Sequence, residues 1–194
     1  METASLSATD LACRRGDRLL FRGLSFVLQG GEALQVVGPN GTGKSSLLRL
    51  LAGLLRPWSG AVERTGQLAL LDERLPLDGH LPLARAFDFW SRIDNRGQGP
   101  GDLDGLGLDT LADVPVRYLS TGQRKRAAIL QSNPRPAGVW LLDEPLNGLD
   151  VDAAAALQER VGSFLAQGGI AVIASHQPFA VPQLRHLDLT DFAA

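Results

Sequence analysis

Gly38-Pro39-Asn40-Gly41-Thr42-Gly43-Lys44-Ser45 decides how the rest of the chain is read. The stretch has the spacing G-x-x-x-x-G-K-[ST] of a phosphate-binding loop. An apolar run, Ala33-Leu34-Gln35-Val36-Val37, precedes it and reads as a buried strand. Ser46-Leu47-Leu48-Arg49-Leu50-Leu51-Ala52 follows and reads as a helix. Strand, glycine loop and helix are the context this motif needs. Glycines let backbone N–H groups curl around a phosphate chain, and the helix N-terminus favours an anion. Gly38, Pro39, Asn40, Gly41, Thr42, Gly43, Lys44, Ser45 and the next residue, Ser46, are therefore the candidate nucleotide contacts. Lys44 supplies a point charge near the β- and γ-phosphates, and the Ser45 hydroxyl is a ligand for Mg²⁺.

Outward from the loop, strands and helices alternate. Residues 6–13, 19–21 and 24–28 read as strands, with Gly30-Gly31 as a hairpin-type turn. Arg56-Pro57-Trp58-Ser59-Gly60 breaks the helix after the loop, and 61–64 and 67–71 read as two further strands. From Asp72 to Tyr118 prolines and glycines punctuate the chain, with one helix at 83–92 and a loop at 95–101. A helix follows at 122–132, then strand 139–142, a helix at 151–167 stopped by Gly168-Gly169, and strand 170–174. This pattern predicts an α/β core with a mainly parallel sheet, N-terminal antiparallel strands and a small helical subdomain at about 72–132, all within one domain of 194 residues. A chain of this size buries about 70% of its unfolded surface and needs no disulfide. Cys13 is the single cysteine, in keeping with a reducing compartment. A net charge of −2 and the absence of a strongly basic run argue against nucleic acid as a partner. No stretch approaches the ~18 apolar residues of a membrane span, and the first ten residues lack the pattern of a signal peptide. Any membrane role must come through a partner.

Three more segments carry chemistry. Val139-Trp140-Leu141-Leu142-Asp143-Glu144 is an apolar strand that delivers two carboxylates at its C-terminal end, where ligands of α/β sheets sit. Asp143 is placed to hold Mg²⁺, directly or through water. Glu144 is placed to polarise the water that attacks the γ-phosphate. His176 follows the strand 170–174 and can reach and sense that phosphate. Leu119-Ser120-Thr121-Gly122-Gln123 opens a helix whose cap is Ser120 and whose exposed N–H groups form a second anion site.

The phosphate loop, L-S-x-G-Q, the strand ending in Asp143-Glu144, Leu149-Asp150 and Ser175-His176 occur in that order. The set resembles the nucleotide-binding subunit of an ABC transporter over nearly the whole chain. The resemblance implies ATP as the substrate nucleotide, Mg²⁺ as its metal and an ATP-dependent homodimer. In it, Ser120, Gly122 and Gln123 of one copy complete the ATP site of the other, and Asp150 communicates across the pair. It implies integral membrane subunits as partners and a peripheral place on the cytoplasmic face of the bacterial inner membrane. The short chain, Leu24-Ser25-Phe26, Ser120-Thr121-Gly122-Gln123-Arg124-Lys125-Arg126-Ala127 and Ser175-His176-Gln177-Pro178 are similar to the cytochrome c maturation branch of that family. There the subunit serves a haem-exporter-type complex, and ATP hydrolysis is tied to release of a haem-loaded chaperone. Another small ABC exporter, a soluble ABC-type ATPase acting on nucleic acid and a non-hydrolysing binding module are the alternatives.

The chain departs from the family pattern twice. Most family members carry an aromatic residue that stacks on adenine, and matching from Leu24-Ser25-Phe26 puts Arg15 there. A guanidinium can stack on a base as well. The family also carries a glutamine after the strand ending near Leu71, where this chain reads Leu71-Asp72-Glu73-Arg74-Leu75-Pro76; Glu73 or Arg74 must serve, or the contact is missing. The apolar residues between Arg74 and Trp90, Leu77 among them, are expected to form the surface that meets the membrane partner.

Overall fold

The computed structural model describes residues 4–72, 76–93, 103–134 and 137–193. The expected loop at 95–101 lies outside them, as do Glu73, Arg74 and Leu75. The described residues fall into two compact units. One lies within Met1–Asp72, Pro134–Pro145 and Gln158–Ala194, the other within Glu73–Asn133 and Leu146–Leu157.

The first unit holds two sheets. Strands β1 (Ser5–Arg15), β2 (Arg18–Gln29) and β4 (Ser59–Thr65) form an antiparallel sheet in the order β2-β1-β4. Strands β3 (Ala33–Val37), β5 (Leu68–Leu71), β6 (Val139–Asp143), β7 (Ile170–Ala174) and β8 (Leu184–Asp188) form a parallel sheet in the order β5-β6-β7-β3-β8. Every residue of β6 and β7 is buried, and β3 is buried up to its last residue. Uninterrupted apolar runs belong in the interior of a parallel sheet, which is covered on both faces. β2 alternates buried and exposed residues over its second half, as a strand with one wet face must. Helix α1 (Lys44–Leu51) packs Leu47, Leu48 and Leu51 into the same core as Leu6, Phe21, Leu34, Val36, Leu141 and Val172. Trp140 is fully buried and meets Phe164 edge to face at 5.7 Å, a geometry worth about 0.5–1.5 kcal/mol beyond its area.

Three expectations change in this unit. Residues 19–21 and 24–28 belong to one continuous strand. The register passes from Leu11↔Leu24 to Cys13↔Phe21, so a bulge sits at Arg22-Gly23, and Gly23 takes φ 72° there. Gly30-Gly31 joins strands of different sheets, so it is not a hairpin turn; the hairpin is at Gly16-Asp17, between Arg15 and Arg18. Strand β8 adds an unforeseen edge to the parallel sheet beside β3.

The second unit contains α2 (Leu83–Ile93), α3 (Thr121–Gln131) and short 3-10 turns at Leu103–Leu106, Asp109–Leu111 and Val116–Tyr118. Helix α4 (Val151–Ala166) begins in it. Leu83 and Ala86 bury one face of α2, while Phe89 and Ile93 stay exposed. Leu77 is 8% exposed. It is a core residue of this unit and not part of a docking surface, which corrects its expected role.

Candidate nucleotide site

The loop leaves β3 at Val37 and enters α1 at Lys44. Gly43 caps the helix at φ 110°, a conformation that costs any other residue dearly. A Cβ there would also lie 3.3 Å from the Leu20 Cβ and the Phe21 ring, so the loop rests closely on β2. Thr42 Oγ1 donates to the Pro39 carbonyl at 2.9 Å and pins the curl. Lys44 is 6% exposed, and its ammonium donates to the carbonyls of Gly38 at 2.7 Å and Pro39 at 3.3 Å. The charge is thus held within the loop it serves. No side chain caps the N-terminus of α1. The first-turn N–H groups have no partner inside the helix, an arrangement that favours an anion. Ser45 and Ser46 are half-buried on that first turn.

β6 and β7 run parallel to β3 in the same sheet, so their C-terminal ends share its edge. Asp143, 5% exposed, is the last residue of β6 and lies in register with Ala174. Glu144 then turns sharply. Its φ is 42°, a left-handed conformation costing about 1–2 kcal/mol for a residue with a Cβ, and its N–H donates to the Ala174 carbonyl at 2.8 Å. That turn aims the carboxylate at the end of β7, where Glu144 Oε2 lies 2.8 Å from His176 Nδ1. With the carboxylate ionised, Nδ1 carries the proton and donates, which leaves Nε2 for a ligand.

Arg15 is exposed at the end of β1, and its positive charge acts on the buried thiol of Cys13. Its neighbour Arg14 has its guanidinium 4.8 Å from the centre of the Trp58 ring and bonds Asp17 at 3.0 Å. Two features of this unit escaped the sequence reading. Asp188 Oδ1 caps a 3-10 turn at Leu189–Phe192 by accepting from the Thr190 hydroxyl at 2.7 Å and its N–H at 2.9 Å, which hold the carboxyl below its ordinary value of 3.8. Gln35 is a buried amide inside β3; its one visible signal is a polar residue within an apolar run.

In the second unit, Ser120 caps α3 by a reciprocal pair of bonds. Its Oγ accepts from the Gln123 N–H at 3.2 Å, and Gln123 Oε1 accepts from the Ser120 N–H at 2.8 Å. A Cβ on Gly122 would stand 3.1 Å from the Gly148 carbonyl, so that position is closely packed. Asp150 caps α4, its Oδ1 accepting from the Ala153 N–H at 2.8 Å. Among the described residues there is no cluster of three or more metal-ligating His, Cys, Asp or Glu side chains.

Comparison with known proteins gives a concordant picture. Residues 21–147 match the family model described as ABC transporter. A Novosphingobium aromaticivorans protein named cytochrome c biogenesis ATP-binding export protein CcmA is 57% identical over 99% of both chains. A Pyrococcus furiosus structure described as an ABC transporter ATP-binding protein superposes with a TM-score of 0.80 at 19% identity, covering 98% of this chain and 100% of that one. The ATP-binding cassette MJ0796, a post-hydrolysis dimer bound to ADP and Pi, superposes with a TM-score of 0.73 at 19% identity, over 89% and 88% of the two chains.

Proposed function

Because this chain belongs to the ABC transporter ATP-binding family, and within it to the cytochrome c biogenesis export proteins, we propose that it is the ATP-hydrolysing subunit of the membrane complex that serves haem export. The hydrolytic part of the reading is carried by one observation. Glu144 and His176 are in direct contact at the edge of the sheet from which the phosphate loop also departs.

The proposed roles join the family's pattern to the positions of these residues. Lys44 and the loop amides hold the β- and γ-phosphates. Glu144 accepts a proton from the attacking water, and His176 uses its free Nε2 to engage the γ-phosphate and hold it in line with that water. The Ser45 hydroxyl and the Asp143 carboxylate are oxygen donors, a set suited to Mg²⁺, which takes one or two protein ligands and fills its shell with phosphate oxygens and water. When bound, Mg²⁺ neutralises phosphate charge. Arg15 lies against the adenine. Ser120, Gly122 and Gln123 of a second copy close the site, and Asp150 senses that closure. The MJ0796 dimer supports a two-copy arrangement for this fold. No helix among the described residues is long and apolar enough to cross a membrane. In this reading, integral membrane subunits hold the chain at the cytoplasmic face of the inner membrane, as the CcmA name of its relative supports.

The test has two arms. Full-length protein with MgATP is assayed for steady-state phosphate release beside Glu144→Gln, and tagged protein is recovered in mild detergent for mass spectrometry of what accompanies it. Equal rates in the two proteins would overturn the role of Glu144, and recovery without membrane proteins would overturn the complex.

A further inference from the structure

β3 is buried and apolar except for Gln35, which is 2% exposed. Its side-chain amide reaches across to the segment after β7. Nε2 donates to the carbonyl of Gln177 at 2.7 Å and lies 3.4 Å from the carbonyl of Ser175. Those two residues flank His176. The same turn carries a second staple, for Ser175 Oγ accepts from the Gln177 N–H at 3.0 Å and donates to the Gln177 carbonyl at 3.1 Å. The Ser175 N–H in turn donates to the Val36 carbonyl at 3.3 Å.

We propose that Gln35 is a positioning residue that sets the backbone on both sides of His176, and through it the orientation of the imidazole toward the γ-phosphate. Nε2 facing two carbonyls fixes which end of the amide points where. The other end, Oε1, is buried and accepts no hydrogen bond among the described residues. A buried acceptor left in this state counts against stability, and a packed apolar side chain would avoid it. The amide is thus a poor choice for stability and a good one for holding the His176 turn. It also ties that turn to the strand that ends in the phosphate loop, so a shift of β3 moves the γ-phosphate cradle and His176 together.

The inference rests on the hydrolytic reading of His176, and the experiment separates the two. Full-length Gln35→Met, His176→Ala and the double variant are compared with wild type for steady-state phosphate release with MgATP, with kcat and KM resolved, and for thermal melting. Methionine has the length of glutamine without its donors. The expected result is a fall in kcat of ~10-fold or more for Gln35→Met, since misplacing a reacting group by about an ångström costs up to ~100-fold. KM stays within about twofold and the melt stays cooperative, because the phosphate loop keeps its own bonds. The double variant turns over no more slowly than His176→Ala alone, since a residue acting only through His176 has nothing further to remove. Wild-type kcat in Gln35→Met, a raised KM at unchanged kcat, or a double variant whose loss is the product of the two single losses overturns the proposal. An unaffected His176→Ala overturns the reading beneath it. Should Gln35→Met not melt cooperatively, Gln35→Asn carries the same cycle, as it keeps the amide but retracts it by one methylene.

Discussion

Glu144 Oε2 and His176 Nδ1 stand 2.8 Å apart, the carboxylate brought there by a left-handed turn at the end of β6. One residue thereby orients the other: the carboxylate accepts the Nδ1 hydrogen bond and leaves Nε2 as the ring's other nitrogen for a ligand. In the proposed mechanism Glu144 then has two duties, general base and holder of the imidazole.

Glu144→Gln separates these duties. The amide oxygen still accepts from Nδ1, so His176 stays in place, but it cannot take a proton from water. Turnover falls by ~10²–10⁴ while ATP binding persists. Light scattering with MgATP is then expected to show two copies held together.

Lys44→Ala acts earlier in the cycle. It removes the only charge the phosphate loop supplies, together with two bonds to loop carbonyls. ATP affinity falls, since charge-assisted bonds to phosphate are about twice as strong as neutral ones. Titration calorimetry reads the change, and unchanged affinity would remove Lys44 from the phosphate site.

Leu77 and Phe89 differ in kind although both are apolar residues of the same unit. Leu77 is buried and Phe89 is 55% exposed. Leu77→Ala is expected to destabilise by about 2–5 kcal/mol, the usual cost of a cavity, and to lower the melting temperature. Phe89→Asp leaves the melt of the isolated protein unchanged. If α2 meets the membrane subunits, it reduces their co-purification.

Cys13 gives a pH dependence with a definite sign. Its thiol is pushed above its ordinary 9.0 by desolvation, an effect partly offset by the positive charge of Arg15 and a hydrogen bond with Ser46. Below pH 9 the thiol is protonated in both states. Above it the unfolded chain ionises first, so stability is lost as pH rises from 9.0 through the folded value. The difference in denaturation midpoint between wild type and Cys13→Ala should shrink from pH 8 to pH 10. A constant difference would show that the thiol titrates alike in both states.

Local chemistry is what the sequence made legible. The phosphate loop and the Asp143-Glu144 ending carry their reason within a few residues, and β6 and β7 announce themselves as uninterrupted apolar runs. β8 does not, because Leu184-Arg185-His186-Leu187-Asp188 is a half-exposed edge strand with no strong pattern. The bulge at Gly23 looked like a break because glycine signals a turn and a bulge alike. Leu77 was unreadable because an apolar residue between prolines serves a core or a surface equally well. Gln35 was unreadable for a different reason: its partner carbonyls lie 140 and 142 residues away in sequence.

The sheet order has a consequence for biosynthesis. β3 ends at Val37, yet its neighbours on either side are β7, which starts at Ile170, and β8, which starts at Leu184. On the ribosome the phosphate loop emerges early but waits for nearly all of the remaining chain before its strand is paired. Such long-range parallel pairing is slow to form. The unpaired strand, apolar but for one amide, is the segment most in need of shielding until synthesis has passed Asp188.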